Sequence, residues 1–189
     1  MKYEVEYKVE LTENEVEALR KLFKEKGFAA KGIDQQADYY IEARASTIGK
    51  GYDLKRYRNE SGKIIYTEKV WEMPTGGSEP ARRETEHEAT HEEIEAALAK
   101  YPEAIKIKKQ REWFAGSSMD LPHISITIDS VKFDHSPSTR YFIEAETMTA
   151  DISEVKGLKT HIVKFLKEIL GKEEIVESPG MFTMAFEKR

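Results

Sequence analysis

The chain has no cysteine. That excludes disulfides, a cysteine nucleophile and thiolate zinc sites, and it fits a reducing compartment. Long hydrophobic runs are missing as well, and the N-terminus is charged from Lys2 onward. Neither a signal peptide nor a membrane span is expected, and the chain is expected in the cytoplasm. An excess of positive charge is also missing. The formal net charge is −5, so no overall basic field draws the chain to nucleic acid or anionic lipid. A phosphate site would have to be a local basic cluster. The chain is also short of apolar residues, 39% against about 45–50% in ordinary globular proteins, and rich in charged ones, 34% against about 25%.

At 189 residues the chain suggests one domain, spanning 1–189. Residues 2–10 alternate as a strand. Thr12 with Glu15 three residues later forms a capping box opening a helix over 13–26, which Gly27 closes. A strand is predicted over 35–42. Strands over 52–59 and 63–71 flank Glu60-Ser61-Gly62, a hairpin turn. The stretch from Met73 to Pro80 reads as a mobile loop by composition. Further strands are expected over 82–90, 104–114, 123–132 and 139–148, with a loop from Ala115 to Pro122. Short and long helices are expected over 91–101 and 152–170, the latter stopped by Gly171. The remaining tail has no clear pattern. Strands joined largely by hairpin-length connections argue an α+β fold with an antiparallel sheet, plausibly closed as a barrel.

What is abundant is charge at alternate strand positions. In Glu4-Val5-Glu6-Tyr7-Lys8 the three charged residues share one face. Arg56 and Arg58 do the same, as do Thr67 and Lys69, then Glu84, Glu86 and Glu88, then Lys109 and Arg111, then Glu144 and Glu146. Asp129 lies opposite the isoleucines of Ile124-Ser125-Ile126-Thr127-Ile128-Asp129. These side chains could coat the outside of an apolar barrel. The two amphipathic helices favour the reverse, because they need an apolar outer surface to cover, and Val5, Tyr7, Ile126 and Ile128 could supply it. A charged interior requires partners. A polyanion with divalent cations would provide them, basic residues taking its oxygens and carboxylates its metals.

The ordered set of motifs resembles the CYTH, or triphosphate tunnel metalloenzyme, superfamily. Glu4-Val5-Glu6-Tyr7-Lys8 is similar to its first-strand signature. Gln36-Ala37-Asp38-Tyr39-Tyr40, Arg56-Tyr57-Arg58, Tyr66-Thr67-Glu68-Lys69, Arg82-Arg83-Glu84-Thr85-Glu86, Lys109-Gln110-Arg111, Asp129 and Glu144-Ala145-Glu146 follow in family order. The chain departs from the family at Phe133 to Arg140, where relatives have a glycine-rich turn, and at Ser178-Pro179-Gly180-Met181-Phe182.

The resemblance implies an eight-stranded antiparallel β-barrel tunnel with a polar interior, flanked by helices, that holds a triphosphate. It implies Lys8, Arg56, Arg58, Lys69, Lys109 and Arg111 on phosphate oxygens, with Lys159 or His161 of the late helix as a further contact. Mg²⁺ or Mn²⁺ would be held by Glu4, Glu6, Asp129, Glu144 and Glu146. Glu84 and Glu86 would join these ligands, support them from behind, or pair with the basic ring. Lys8, Glu6 and Glu146 are the expected catalytic residues. The expected activity is hydrolysis of inorganic tripolyphosphate or thiamine triphosphate. An adenylate cyclase and a non-catalytic polyphosphate sensor are the alternatives. The expected partner is a small triphosphate, with no membrane or nucleic acid, and a homodimer is compatible.

Other residues point to less. His87 and His91 are too few ligands for zinc. Gly49-Lys50-Gly51 lacks the spacing of a phosphate-binding loop. Trp71 and Trp113 could stack a ligand ring at a tunnel mouth, though packing is the ordinary role of such residues.

Overall fold

The computed structural model describes residues 3–49, 51–73, 80–118 and 121–187. Eight antiparallel strands close into a barrel: β1 (Tyr3–Leu11), β2 (Ala29–Ala45), β3 (Tyr52–Glu60), β4 (Lys63–Glu72), β5 (Ala81–Ala89), β6 (Ile105–Ser118), β7 (Leu121–Lys132) and β8 (Thr139–Thr149). Around the barrel they run β1-β5-β4-β3-β2-β6-β7-β8. Four helices flank it: α1 (Glu13–Glu25), α2 (His91–Lys100), α3 (Val155–Leu170) and α4 (Met181–Phe186). None of the described helices is long and apolar enough to cross a membrane.

Local chemistry accounts for several boundaries. Thr12 and Thr90 each form a full capping box, with Glu15 and Glu93 respectively, so α1 and α2 start where their orphan N–H groups find acceptors. The β3–β4 hairpin turns through Ser61 and Gly62, both with positive φ, which matches the twist of the flanking strands.

The sheet is apolar on the outside. Val5, Tyr7, Ile126, Ile128, Ile143 and Ala145 form one buried cluster with Val16, Leu19 and Phe23 of α1 and Ile162, Phe165, Leu166 and Ile169 of α3. Across the barrel, Ile94 of α2 covers Ile64 and Ala89. The expectation that the helices clothe an apolar outer surface therefore holds, and it leaves the alternate, charged positions facing inward.

Two sequence expectations need correction. β2 runs well past 35–42 at both ends. It pairs with β6 from Ala29 to Tyr40 and with β3 from Gln36 to Ala45, with bulges on both ladders. Pairing with β6 holds Asp34 in the strand against its own preference, and Gly32 takes the positive φ at the bulge on that ladder. The expected loop from Ala115 to Pro122 is largely strand: β6 continues to Ser118 and β7 begins at Leu121, Gly116 pairing with Ile124. Residues 119–120 and the loop residues 74–79 lie outside the described residues.

The featureless tail forms α4. Its Met181, Phe182, Met184 and Ala185 pack with Tyr40, Ile107, Val131 and Phe142, inward-facing residues at one end of the barrel. Phe182 meets the rings of Tyr40 and Tyr52 at 5.4 and 5.0 Å. Phe182→Ala is expected to cost about 3–5 kcal/mol, as removal of a buried aromatic ring usually does. Denaturant unfolding would read it, and a loss below about 1 kcal/mol would show that this end does not depend on α4.

Candidate functional site

Inside the barrel every strand contributes charge. On β1 and β8, Lys8 lies opposite Glu144 and Glu6 opposite Glu146. The Lys8 ammonium is 2.5 Å from Glu144. On β6 and β7, Arg111 donates two hydrogen bonds of 2.7 Å to Asp129 and approaches Glu144 at 3.5 Å. Lys109 sits between Asp38 at 3.6 Å and Asp129 at 3.7 Å. Arg58 donates to both oxygens of Asp38, at 2.7 and 3.2 Å, and Arg56 lies 3.8 Å from it. Arg56 also donates to the Thr67 hydroxyl, which donates in turn to Glu86. Lys69 donates to both oxygens of Glu4 and lies 3.1 Å from Glu84. Arg82 reaches Glu6 at 3.3 Å.

The structure thus brings together Lys8, Arg56, Arg58, Lys69, Lys109 and Arg111 with Glu4, Glu6, Glu84, Glu86, Asp129, Glu144 and Glu146. Glu86 remains exposed at the margin, as does Glu88. Lys159 is not among them. It lies on α3 outside the barrel, paired with Glu177 at 3.0 Å and near the ring of outward-facing Tyr7. His161 is exposed on the same helix. The helix covers the sheet with its apolar stripe, which directs these polar residues to the outer surface.

Residue-level reasoning missed two members. Asp38 is fully buried and touches three cations, so it organises half the basic ring. It shares a face with buried Gln36, and that alternation was the available signal. Arg82 shares β5's inward face with Glu84 and Glu86, but its neighbour Arg83 obscures the choice. Arg83 faces outward to Glu72 at 2.6 Å.

The electrostatics divide the interior. Burial pushes the carboxyls of Asp38 and Glu144 up, but the cations outweigh it: Arg58, Lys109 and Arg56 hold Asp38, and Lys8 and Arg111 hold Glu144, well below the usual carboxylate range. Burial pushes Lys8 and Lys69 down, and Glu144 and Glu4 respectively more than restore their charge. Lys109 goes the other way. Burial, then Arg111 and Arg58, bring it down to about 7 despite its two aspartates. Glu146 is its counterpart. Burial, then Glu4 and Glu144, raise it to about 8, and among the described residues no basic side chain pairs with it.

The donor chemistry suits a divalent cation. Glu4, Glu6, Glu144 and Glu146 are hard oxygen donors on two paired strands, and burial, then the like charges of Glu4 and Glu144, favour the protonated form of Glu146; a cation would offset the second of these. Among the described residues, no three such side chains yet converge closely enough to hold one, because Lys69 occupies Glu4 and Lys8 occupies Glu144.

The family model described as the CYTH domain matches residues 2–178. Among solved structures, a Pyrococcus horikoshii protein shares 21% identity, covering 99% of this chain and 100% of its own, at a TM-score of 0.66. A Vibrio parahaemolyticus protein described as an adenylate cyclase candidate shares 15%, covering 98% of each chain, at 0.65. A Hippeastrum adenylyl cyclase candidate, described as having a dominant triphosphatase activity, shares 14%, covering 99% of this chain and 96% of its own, at 0.59. No curated protein matches.

Proposed function

The chain belongs to the CYTH family, and on that premise we propose that it is a metal-dependent hydrolase of inorganic tripolyphosphate or thiamine triphosphate. The observation that carries this reading is the convergence of six basic side chains from β1, β3, β4 and β6 on one interior that also holds carboxylates. A triphosphate is a compact polyanion, and such a ring matches it oxygen by oxygen. Arg56, Arg58 and Arg111 suit paired contacts to phosphoryl oxygens, and Lys8, Lys69 and Lys109 act as point charges.

In this reading the ligand exchanges ion pairs. Phosphate oxygens take Lys8 and Lys69, which releases Glu144 and Glu4. With Glu6, Glu146 and Asp129 these would hold Mg²⁺ or Mn²⁺, which when bound polarises a phosphoryl oxygen and lowers the pKa of water. Lys8 then neutralises charge growing on the phosphoryl group under attack. Glu146, which keeps its proton in the ligand-free interior, would ionise once cations offset Glu4 and Glu144, and its carboxylate would then accept the proton of the attacking water. Arg58 and Arg56 keep the chain aligned for in-line displacement, which is chiefly a matter of positioning and electrostatics.

The Hippeastrum and Vibrio neighbours support a triphosphate substrate without choosing the reaction, and an adenylate cyclase is the second reading. Incubating the protein and Mg²⁺ with tripolyphosphate, thiamine triphosphate and ATP separates the cases. Orthophosphate release is expected. Cyclic AMP with pyrophosphate would replace the reading with a cyclase, and binding without turnover would replace it with a sensor.

A further inference from the structure

One part of the interior is left unexplained by the ring. Thr67, Lys69 and Trp71 occupy successive inward positions on β4, so the inward face continues past Lys69 to Trp71 near the strand's end. There Trp71 lies directly across from Arg82 of β5. The Arg82 guanidinium stands 5.7 Å from the Trp71 ring centre. The ring is held in place from another side: a Cβ on Gly49 would fall 2.1 Å from it, so only glycine fits there. The Trp71 backbone N–H is fixed by Asp53 at 2.8 Å.

This fixed pair presents unused donors. Trp71 Nε1 and Arg82 Nε are both buried, and neither has a hydrogen-bond partner. Arg82 meets Glu6 only through Nη1, at 3.3 Å. Leaving a buried N–H unsatisfied is costly, so two on adjacent side chains call for an acceptor. One donor is cationic and both are rigidly placed. An anionic oxygen suits them; an apolar ring does not, because Gly49 and Arg82 already lie against the indole.

We propose that Trp71 and Arg82 form a specificity subsite that receives a terminal phosphoryl group of the polyphosphate, making the site selective for chain length. This rests on the triphosphate reading of the same interior. A chain filling the central ring reaches past Lys69 and places an end oxygen on Trp71 Nε1–H and Arg82 Nε–H. A shorter phosphate satisfies the ring alone. Trp71 acts through its N–H, so Trp71→Phe, which keeps a ring and removes the donor, is the informative change.

The experiment measures binding of tripolyphosphate, pyrophosphate and orthophosphate by calorimetry to wild type, Trp71→Phe, Arg82→Gln and Gly49→Ala. Loss of a hydrogen bond to a charged group is expected to weaken tripolyphosphate binding about tenfold in Trp71→Phe, with pyrophosphate changed less than about twofold. Arg82→Gln should act in the same direction. Gly49→Ala should reproduce the loss by displacing the indole. In Trp113→Phe protein, the remaining Trp71 fluorescence should shift with tripolyphosphate and not with orthophosphate, a readout that needs no change at the subsite. Equal losses for all three phosphates, or unchanged tripolyphosphate affinity with unmoved Trp71 emission, would overturn the subsite and leave the hydrolase reading standing. Absence of any polyphosphate binding to wild type would overturn both.

Discussion

Glu146→Gln is expected to lower turnover at least about 100-fold, the usual scale for losing a positioned acid–base group, while stabilising the metal-free protein. The two effects have one cause. Glu146 is buried, and it sits among Glu4, Glu144 and Glu6 with no described cation paired to it, so in the fold it keeps its proton up to about pH 8, against an ordinary value of 4.5. Within that window the folded chain binds more protons than the unfolded one. Stability contributed by this group is therefore complete below the lower value and declines as pH rises through the upper one. Glutamine carries no charge to bury. The variant should gain stability over wild type at pH 8, on the order of a few kcal/mol, and match it near pH 4. Chelation should abolish wild-type turnover, and Mg²⁺ or Mn²⁺ should restore it. Denaturant unfolding at the two pH values and a phosphate-release assay check this. A variant that turns over normally, or that is less stable at pH 8, would remove Glu146 from the site.

Tripolyphosphate is expected to stabilise the protein by about 2.7 kcal/mol at one hundred times its dissociation constant, to take up protons on binding near pH 7, and to raise the affinity for Mg²⁺. The interior cations are held by carboxylates: Lys8 by Glu144, Lys69 by Glu4, Arg111 by Asp129 and Arg58 by Asp38. A polyanion displaces some of these pairings and frees the carboxylates for metal. Lys109, brought to about 7 by burial and its guanidinium neighbours, is partly neutral at pH 7. An added anion raises it, so binding draws protons from the buffer. Calorimetry in buffers of different ionisation enthalpy would read that uptake, and Lys109→Met should remove it. Orthophosphate should shift the melting temperature far less. If the two phosphates gave equal shifts that vanished with added salt, the ligand would be binding exposed surface charge instead.

Local rules were enough for much of this. Strand alternation places Glu4, Glu6 and Lys8 together, and Arg56 with Arg58, because side chains repeat every two residues whatever the partner strand. The cap at Thr12, the turn at Ser61-Gly62 and the stop at Gly171 depend on a few adjacent residues, so they too were legible. The inward direction of the charged faces followed from helices that needed apolar cover. Other features depend on contacts between distant segments. β2 extends to Ala29 and Ala45 because β6 and β3 hold its two edges at different heights. Asp38 lies at the centre of the basic ring because β2 pairs with β3 on one side and β6 on the other. Lys159 is outside because α3 turns its apolar stripe to the sheet. The tail becomes a helix where Tyr40, Ile107 and Phe142 offer it an apolar surface, which its own few residues could not announce. The sequence by itself determined which residue types face the interior, since that is a local periodicity. The tertiary structure alone decided which cation each carboxylate holds, and that Glu146 holds none, because the stagger of strands in a closed barrel sets those distances.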